Sequence, residues 1–175
     1  MFNPFSASHQ LPALARLLLV SIFTLLSAAF AQDEAVAGKA PPPEIRGIRL
    51  GMPYAQAHAQ LAKIGQMKKE EEGQEVWTLL GDEHYQSLIV GFDRDRKARY
   101  VTALADPDGT PLRYSDVGDI AAAARGGQPG NLTFTWKGRD AKEKIEYLAI
   151  AKGKDAQRLS SYSVKRLGVP VEDKD

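Results

Sequence analysis

Hydrophobic and polar positions change period several times along this chain, and each change marks an element. Ile45, Ile48 and Leu50 form a short β-like run that stops at Gly51. From Tyr54 the period is helical: Tyr54, Ala57, Leu61 and Ile64 share one face, Gln56, Gln60 and Lys63 another. Pro53 suits the first turn, where its missing N–H costs nothing, and Gly65 suits the left-handed position after the last turn. The spacing predicts an amphipathic helix of about three turns. The run Lys68-Lys69-Glu70-Glu71-Glu72-Gly73 then reads as a solvated loop.

Strand-like segments follow at 75–80, 87–92 and 98–105, with Leu88, Val90 and Phe92 alternating as in a sheet buried on one face. Asp93-Arg94-Asp95-Arg96-Lys97 is a charged turn that makes the second and third a hairpin, and Asp106-Pro107-Asp108-Gly109-Thr110-Pro111 is a strong breaker. The order then repeats. Ser115 can cap a helix through Asp116, Val117, Ile120 and the alanines at 121–124, which Gly118 weakens and Gly126-Gly127 stops. Asp116 and Asp119 complement its positive end and Arg125 its negative end. Leu132, Phe134 and Trp136 alternate with Thr133, Thr135 and Lys137, and 145–151 and 161–167 read as two more strands. The expected fold class is α+β, with two short helices packed on a curved antiparallel β-sheet. The repeated order suggests two tandem helix-plus-three-strand halves, near 44–105 and 112–167.

The ends of the chain read differently. Arg16 precedes an apolar run over 17–31 that closes in Ala29-Phe30-Ala31, a small-x-small site followed by polar Gln32-Asp33-Glu34. This is the pattern of a secretory signal peptide cleaved near Ala31; the run is short for a spanning helix, which needs about 20 apolar residues. Residues 32–43, ending in three prolines, read as a flexible linker, 44–168 as a single domain and 169–175 as a polar tail. The expected location is therefore periplasmic or extracellular, with no stable membrane anchor after cleavage.

Charge and composition narrow the function. The chain has 23 Lys+Arg, 22 Asp+Glu and no cysteine. Arg16 is the only charged residue of 1–31, so the expected mature chain is balanced, which argues against a nucleic-acid binder held by phosphate neutralisation. Without cysteine there are no disulfides, thiolate zinc sites, cysteine nucleophiles or lipidated anchor. His58 and His84 lack ligand spacing, and Asp106-Pro107-Asp108-Gly109 lacks the further ligands of a calcium loop. Neither a nucleophile elbow nor a phosphate loop is present, and the carboxylate pairs Asp93/Asp95 and Asp106/Asp108 fall in turns. No catalytic residue, cofactor or metal is expected. The remaining signal is aromatic. Trp77, Tyr100, Trp136, Tyr147 and Tyr162 lie on predicted strands, either packing the helices or lining an exposed sheet face that grips a partner. In the strand at 145–151 Ile145, Tyr147 and Ala149 point one way while Leu148 and Ile150 point the other, so a second apolar face left exposed would be a binding surface.

Ile48-Arg49-Leu50-Gly51-Met52, then a helix with Leu61, then Gly65, resembles the Gly-Met-(Ser/Thr)…Leu-Gly opening of small outer-membrane assembly lipoproteins of the BamE/SmpA type. The hairpin that ends at Phe92 and returns through Tyr100-Val101 is similar to that family's later strands. The related β-lactamase-inhibitor-protein fold has two such units in tandem, and both place helices on one face of an antiparallel sheet. The resemblance covers residues 45–105, and 112–167 only by element order. Pro53 stands where the family has a capping Ser/Thr, and the absent cysteine departs from its membrane anchor. These families bind proteins, so the resemblance implies an exported, non-catalytic protein-binding module of the cell envelope, inhibitor-like or assembly-factor-like. The alternative is a periplasmic carrier of a small apolar ligand held between helix and sheet.

Overall fold

Sheet dominates the described residues, 52% of which are strand. The computed structural model describes residues 39–168, so the predicted signal peptide, the first part of the linker and the polar tail lie outside the described residues. A two-residue hairpin opens the fold, β1 (Glu44–Ile45) with β2 (Ile48–Arg49). Helix α1 (Tyr54–Ile64) follows, then strands β3 (Gly65–Glu71), β4 (Gln74–Leu79), β5 (Tyr85–Phe92) and β6 (Ala98–Ala105). One helical turn, α2 (Tyr114–Val117), and a 3₁₀ turn at Ile120–Ala122 precede β7 (Ala124–Gln128), β8 (Asn131–Asp140), β9 (Ile145–Gly153) and β10 (Leu159–Arg166).

The eight long strands form one antiparallel sheet in the order β3-β4-β5-β6-β10-β9-β8-β7. Two four-stranded meanders thus meet last strand against last strand, with β6 paired to β10 from Tyr100↔Lys165 to Leu104↔Ser161. Each half contributes four strands to this sheet, not three, and the fold is not the expected α+β arrangement of two helices on a sheet: among the described residues only α1 is a substantial helix.

Both errors have a physical cause. The charge run Lys68–Glu71 does not loop out. It pairs with β4 as an edge strand whose side chains after Gly65 are all exposed, so a charged sequence keeps its solvation while its backbone joins the ladder. Gly65 is extended, not left-handed, at φ −163°; a Cβ there would press on the Thr78 carbonyl, so glycine lets α1 run straight into β3. In the second half, helix propensity loses to packing. A Cβ on Gly118 would meet Pro41 and the Trp136 indole, and the chain leaves the helical region there at φ −171°. Asp119 caps the short 3₁₀ turn by accepting from the Ala121 amide, and Ala124 already belongs to β7.

One face of the sheet carries everything else. Ala57 and Leu61 of α1, Ile45 and Ile48 of the opening hairpin and Leu50 after it share one core with Trp77, Leu88, Val90, Val101 and Val164 of the sheet; Tyr114 of α2 lies 4.6 Å, ring to ring, from Phe134. Burying each of these large side chains contributes about 1.5–3 kcal/mol. The last linker residues belong to this layer. Pro41 accepts a 2.6 Å hydrogen bond from the Tyr147 hydroxyl, and Pro43 accepts the Leu50 amide at 2.9 Å. Among the described residues, no helix is long and apolar enough to cross a membrane.

Candidate protein-interaction face

Strand alternation sends every second side chain to the opposite face, here called outer, and the antiparallel register lines these up in rows across the sheet. One row reads Val76, Ile89, Thr102, Ser163, Ile150, Thr135. A second reads Thr78, Ser87, Leu104, Ser161, Lys152, Thr133, and a third Gln74, Gly91, Tyr100, Lys165, Leu148, Lys137. The helices, the opening hairpin and Pro41 all pack on the inner face, so among the described residues nothing outside the sheet lies over these rows. The surface is one of small hydroxyl side chains interleaved with half-buried Val, Ile and Leu.

Its charge is lopsided. Cations Lys69, Lys137, Arg139, Lys152 and Lys165 occupy outer positions against the anions Glu71 and Glu146. Glu71 is already paired with Lys69, and Glu146 stands opposite Arg139. The balanced charge of the whole chain therefore conceals a basic outer face.

The five aromatics singled out from sequence are divided by the pleat. Trp136 (1% exposed), Trp77 (3%), Tyr147 (4%) and Tyr162 (5%) point inward and form core, so the expectation that they line a gripping face is corrected for these four. The two indoles spend their N–H groups inside: the Trp136 N–H donates to the Asp119 carbonyl at 2.7 Å, and the Trp77 N–H to Glu75 Oε2 at 2.9 Å. Tyr100 alone is on the outer face. Its ring covers Gly91, its hydroxyl donates to Gln74 Oε1, and burial raises its pKa above the usual tyrosine value.

The groups weighed for catalysis do not converge. Asp93 and Asp95 serve the β5–β6 turn, where Asp93 accepts the Lys97 amide, while Asp106 caps its own turn through the Asp108 amide. His84 contacts the Thr110 carbonyl at 3.1 Å. His58 is the exception. Its Nδ1 lies 2.9 Å from Oε1 of Glu75, a carboxylate only 1% exposed. Among the described residues no three His, Cys, Asp or Glu side chains gather as a metal site. The sequence reading missed Glu75 although it shares the inward parity of Trp77 and Leu79, the signal that could have found it.

The geometry defines a class: among the described residues, an antiparallel sheet covered on one face and open on the other. No family model, curated protein or solved structure matches the chain.

Proposed function

We propose that this chain is an exported, non-catalytic protein-binding module of the cell envelope, and that it binds through the outer face of its eight-stranded sheet. The observation that carries the reading is the face left uncovered by the described residues, with apolar Val76, Ile89, Leu104 and Ile150 set among hydroxyl side chains and an excess of lysine. Interaction surfaces combine an apolar centre with a polar, charged rim. The charge selects the occupant: a folded protein that presents an acidic surface. Export rests on the N-terminal pattern of Arg16, the apolar run and Ala29-Phe30-Ala31. The tandem meanders, with all packed elements on one face, support an inhibitor-like use of the fold.

The carrier alternative needs an enclosed apolar cavity of roughly 300 Å³ or more between helix and sheet. Ala57 and Leu61 of the helix and Trp77, Leu88 and Val90 of the sheet are all buried core side chains, which weighs against it.

The test is site-specific. Photo-crosslinking side chains placed at positions 89 and 150 should trap one envelope protein, and an Ile89→Arg/Ile150→Arg variant should lose its capture while keeping the wild-type circular dichroism spectrum. Capture that survives this double substitution would remove the outer face from the reading.

A further inference from the structure

The two ends of the sheet are built differently. At one end β3 carries four consecutive charges, Lys68 to Glu71, and a register shift between Met67 and Lys69, both of which discourage another strand from pairing. At the other end β7 reads Ala124-Arg125-Gly126-Gly127-Gln128: a single charge, an unbroken register against β8, and every residue exposed. An edge strand leaves one side of its backbone N–H and C=O groups unpaired, so β7 presents a template that β3 does not.

We propose that β7 is a docking edge for an extended acidic segment of another protein, added to the sheet by main-chain pairing. The edge borders an open cleft of about 630 Å³ lined by Arg125, Gly126, Gly127, Leu132, Lys154 and Asp155. A Cβ added to Gly126 would meet nothing within 4 Å, which leaves room for the side chains of an incoming strand. Gly127, still paired with Leu132, leaves the extended conformation at φ +92°, so the added strand pairs along 124–126 and its next side chain enters the cleft beside Leu132. Main-chain bonds supply affinity in such docking, and the pocket beside the edge supplies specificity.

Charge decides what enters. Arg125 and Lys154 stand against Asp155, whose Oδ1 already accepts the Gln157 and Arg158 amides at 2.8 Å each. The cleft is net positive and suits a carboxylate. A second copy of the chain is the poorer occupant: antiparallel pairing of β7 with itself about Gly126 sets Arg125 of one copy against Gly127 of the other, bringing a third cation into each cleft.

This site is separate from the outer face, and its test does not depend on finding that face's partner. Random peptides displayed on phage are selected on the full chain, and amide hydrogen exchange of 124–128 is measured with the selected peptides bound. The expected result is enrichment of Asp and Glu, slowed exchange in β7, and affinity weakened about tenfold by the Arg125→Glu/Lys154→Glu variant, both positions being exposed. Three results would overturn the proposal: no selected peptide protecting β7, affinities indifferent to the charge reversal, or sedimentation showing that β7 pairs with a second copy instead.

Discussion

Thr102 on β6 and Ser163 on β10 stand directly opposite each other, their hydroxyl oxygens 2.9 Å apart. This hydrogen bond lies on the outer face at the seam where the two meanders join. Backbone ladder bonds hold the seam; the hydroxyl pair adds a cross-strand term of the size usual for such contacts. Either hydroxyl left alone can turn to solvent, so Thr102→Val and Ser163→Ala should each cost less than about 1 kcal/mol. Together they should show a coupling of about 0.5–1 kcal/mol in a double-mutant cycle measured by urea denaturation. Strict additivity would mean that the two hydroxyls do not interact in solution.

Two cross-strand glycine–tyrosine pairs make a harder demand. Gly91 faces Tyr100 between β5 and β6, and Gly138 faces Tyr147 between β8 and β9. A methyl group at either glycine would land inside the opposing phenol ring, whereas Gly126 on the open edge has nothing within 4 Å of such a methyl. Gly91→Ala and Gly138→Ala should therefore destabilise by about 1–3 kcal/mol. Gly126→Ala should be neutral or stabilising by about 0.5 kcal/mol, because it only restricts the unfolded chain. Equal losses at all three positions in denaturant titrations would refute the packing argument.

The strands with clean alternation were legible in the sequence because period two is a local property. Leu88-Val90-Phe92 and Phe134-Trp136 point where their alternation says, and α1 follows from its helical face. The two misread segments were decided by distant partners. Lys68–Glu71 becomes a strand because β4 offers it a ladder, and the alanines at 121–124 leave the helix because Trp136 and Pro41 crowd Gly118. Tyr147 shows the same limit at the candidate site. Alternation established that its strand has two apolar faces, but which face is covered depends on the hairpin and on Pro41, a residue 106 positions away. Alternation left the aromatics open to two roles, packing the core or lining an exposed face; burial of Trp77, Trp136, Tyr147 and Tyr162 decides for packing.

Glu75 is a buried carboxylate held among aromatic neighbours. It accepts the Trp77 indole N–H at 2.9 Å, lies 2.9 Å from His58 Nδ1, and has the Tyr54 hydroxyl beside it; the His58 and Trp77 rings meet edge to face at 5.2 Å. Removing the acceptor strands a buried donor, which costs about 1–3 kcal/mol on top of lost packing. Glu75→Ala should therefore destabilise by at least that much and alter Trp77 fluorescence, with Glu75→Gln recovering part of the loss. His58→Ala should cost less, because the ring is more than one-third exposed. A Glu75→Ala variant as stable as wild type would show that the carboxylate is not needed to satisfy the indole.

All six tyrosines have their pKa raised, which gives the fold a defined alkaline limit. Tyr54, whose hydroxyl donates to Glu70 Oε1 at 3.4 Å, is pushed up to about 12 by the neighbouring Glu75 carboxylate and then by burial, and Tyr85 to about 12 by burial against the opposing pull of Arg46. Burial raises Tyr162, Tyr100, Tyr114 and Tyr147 as well. In the unfolded chain a tyrosine ionises near pH 10, roughly. A folded-state value above that contributes stability that is intact below about pH 10 and is lost as pH rises toward 12, because the unfolded chain gives up its protons first. Tyrosinate absorbance and loss of circular dichroism should therefore rise together, in one cooperative step above about pH 10. Several tyrosines ionising near pH 10 while the circular dichroism stays native would contradict this, and would place those hydroxyls in contact with water in the folded protein.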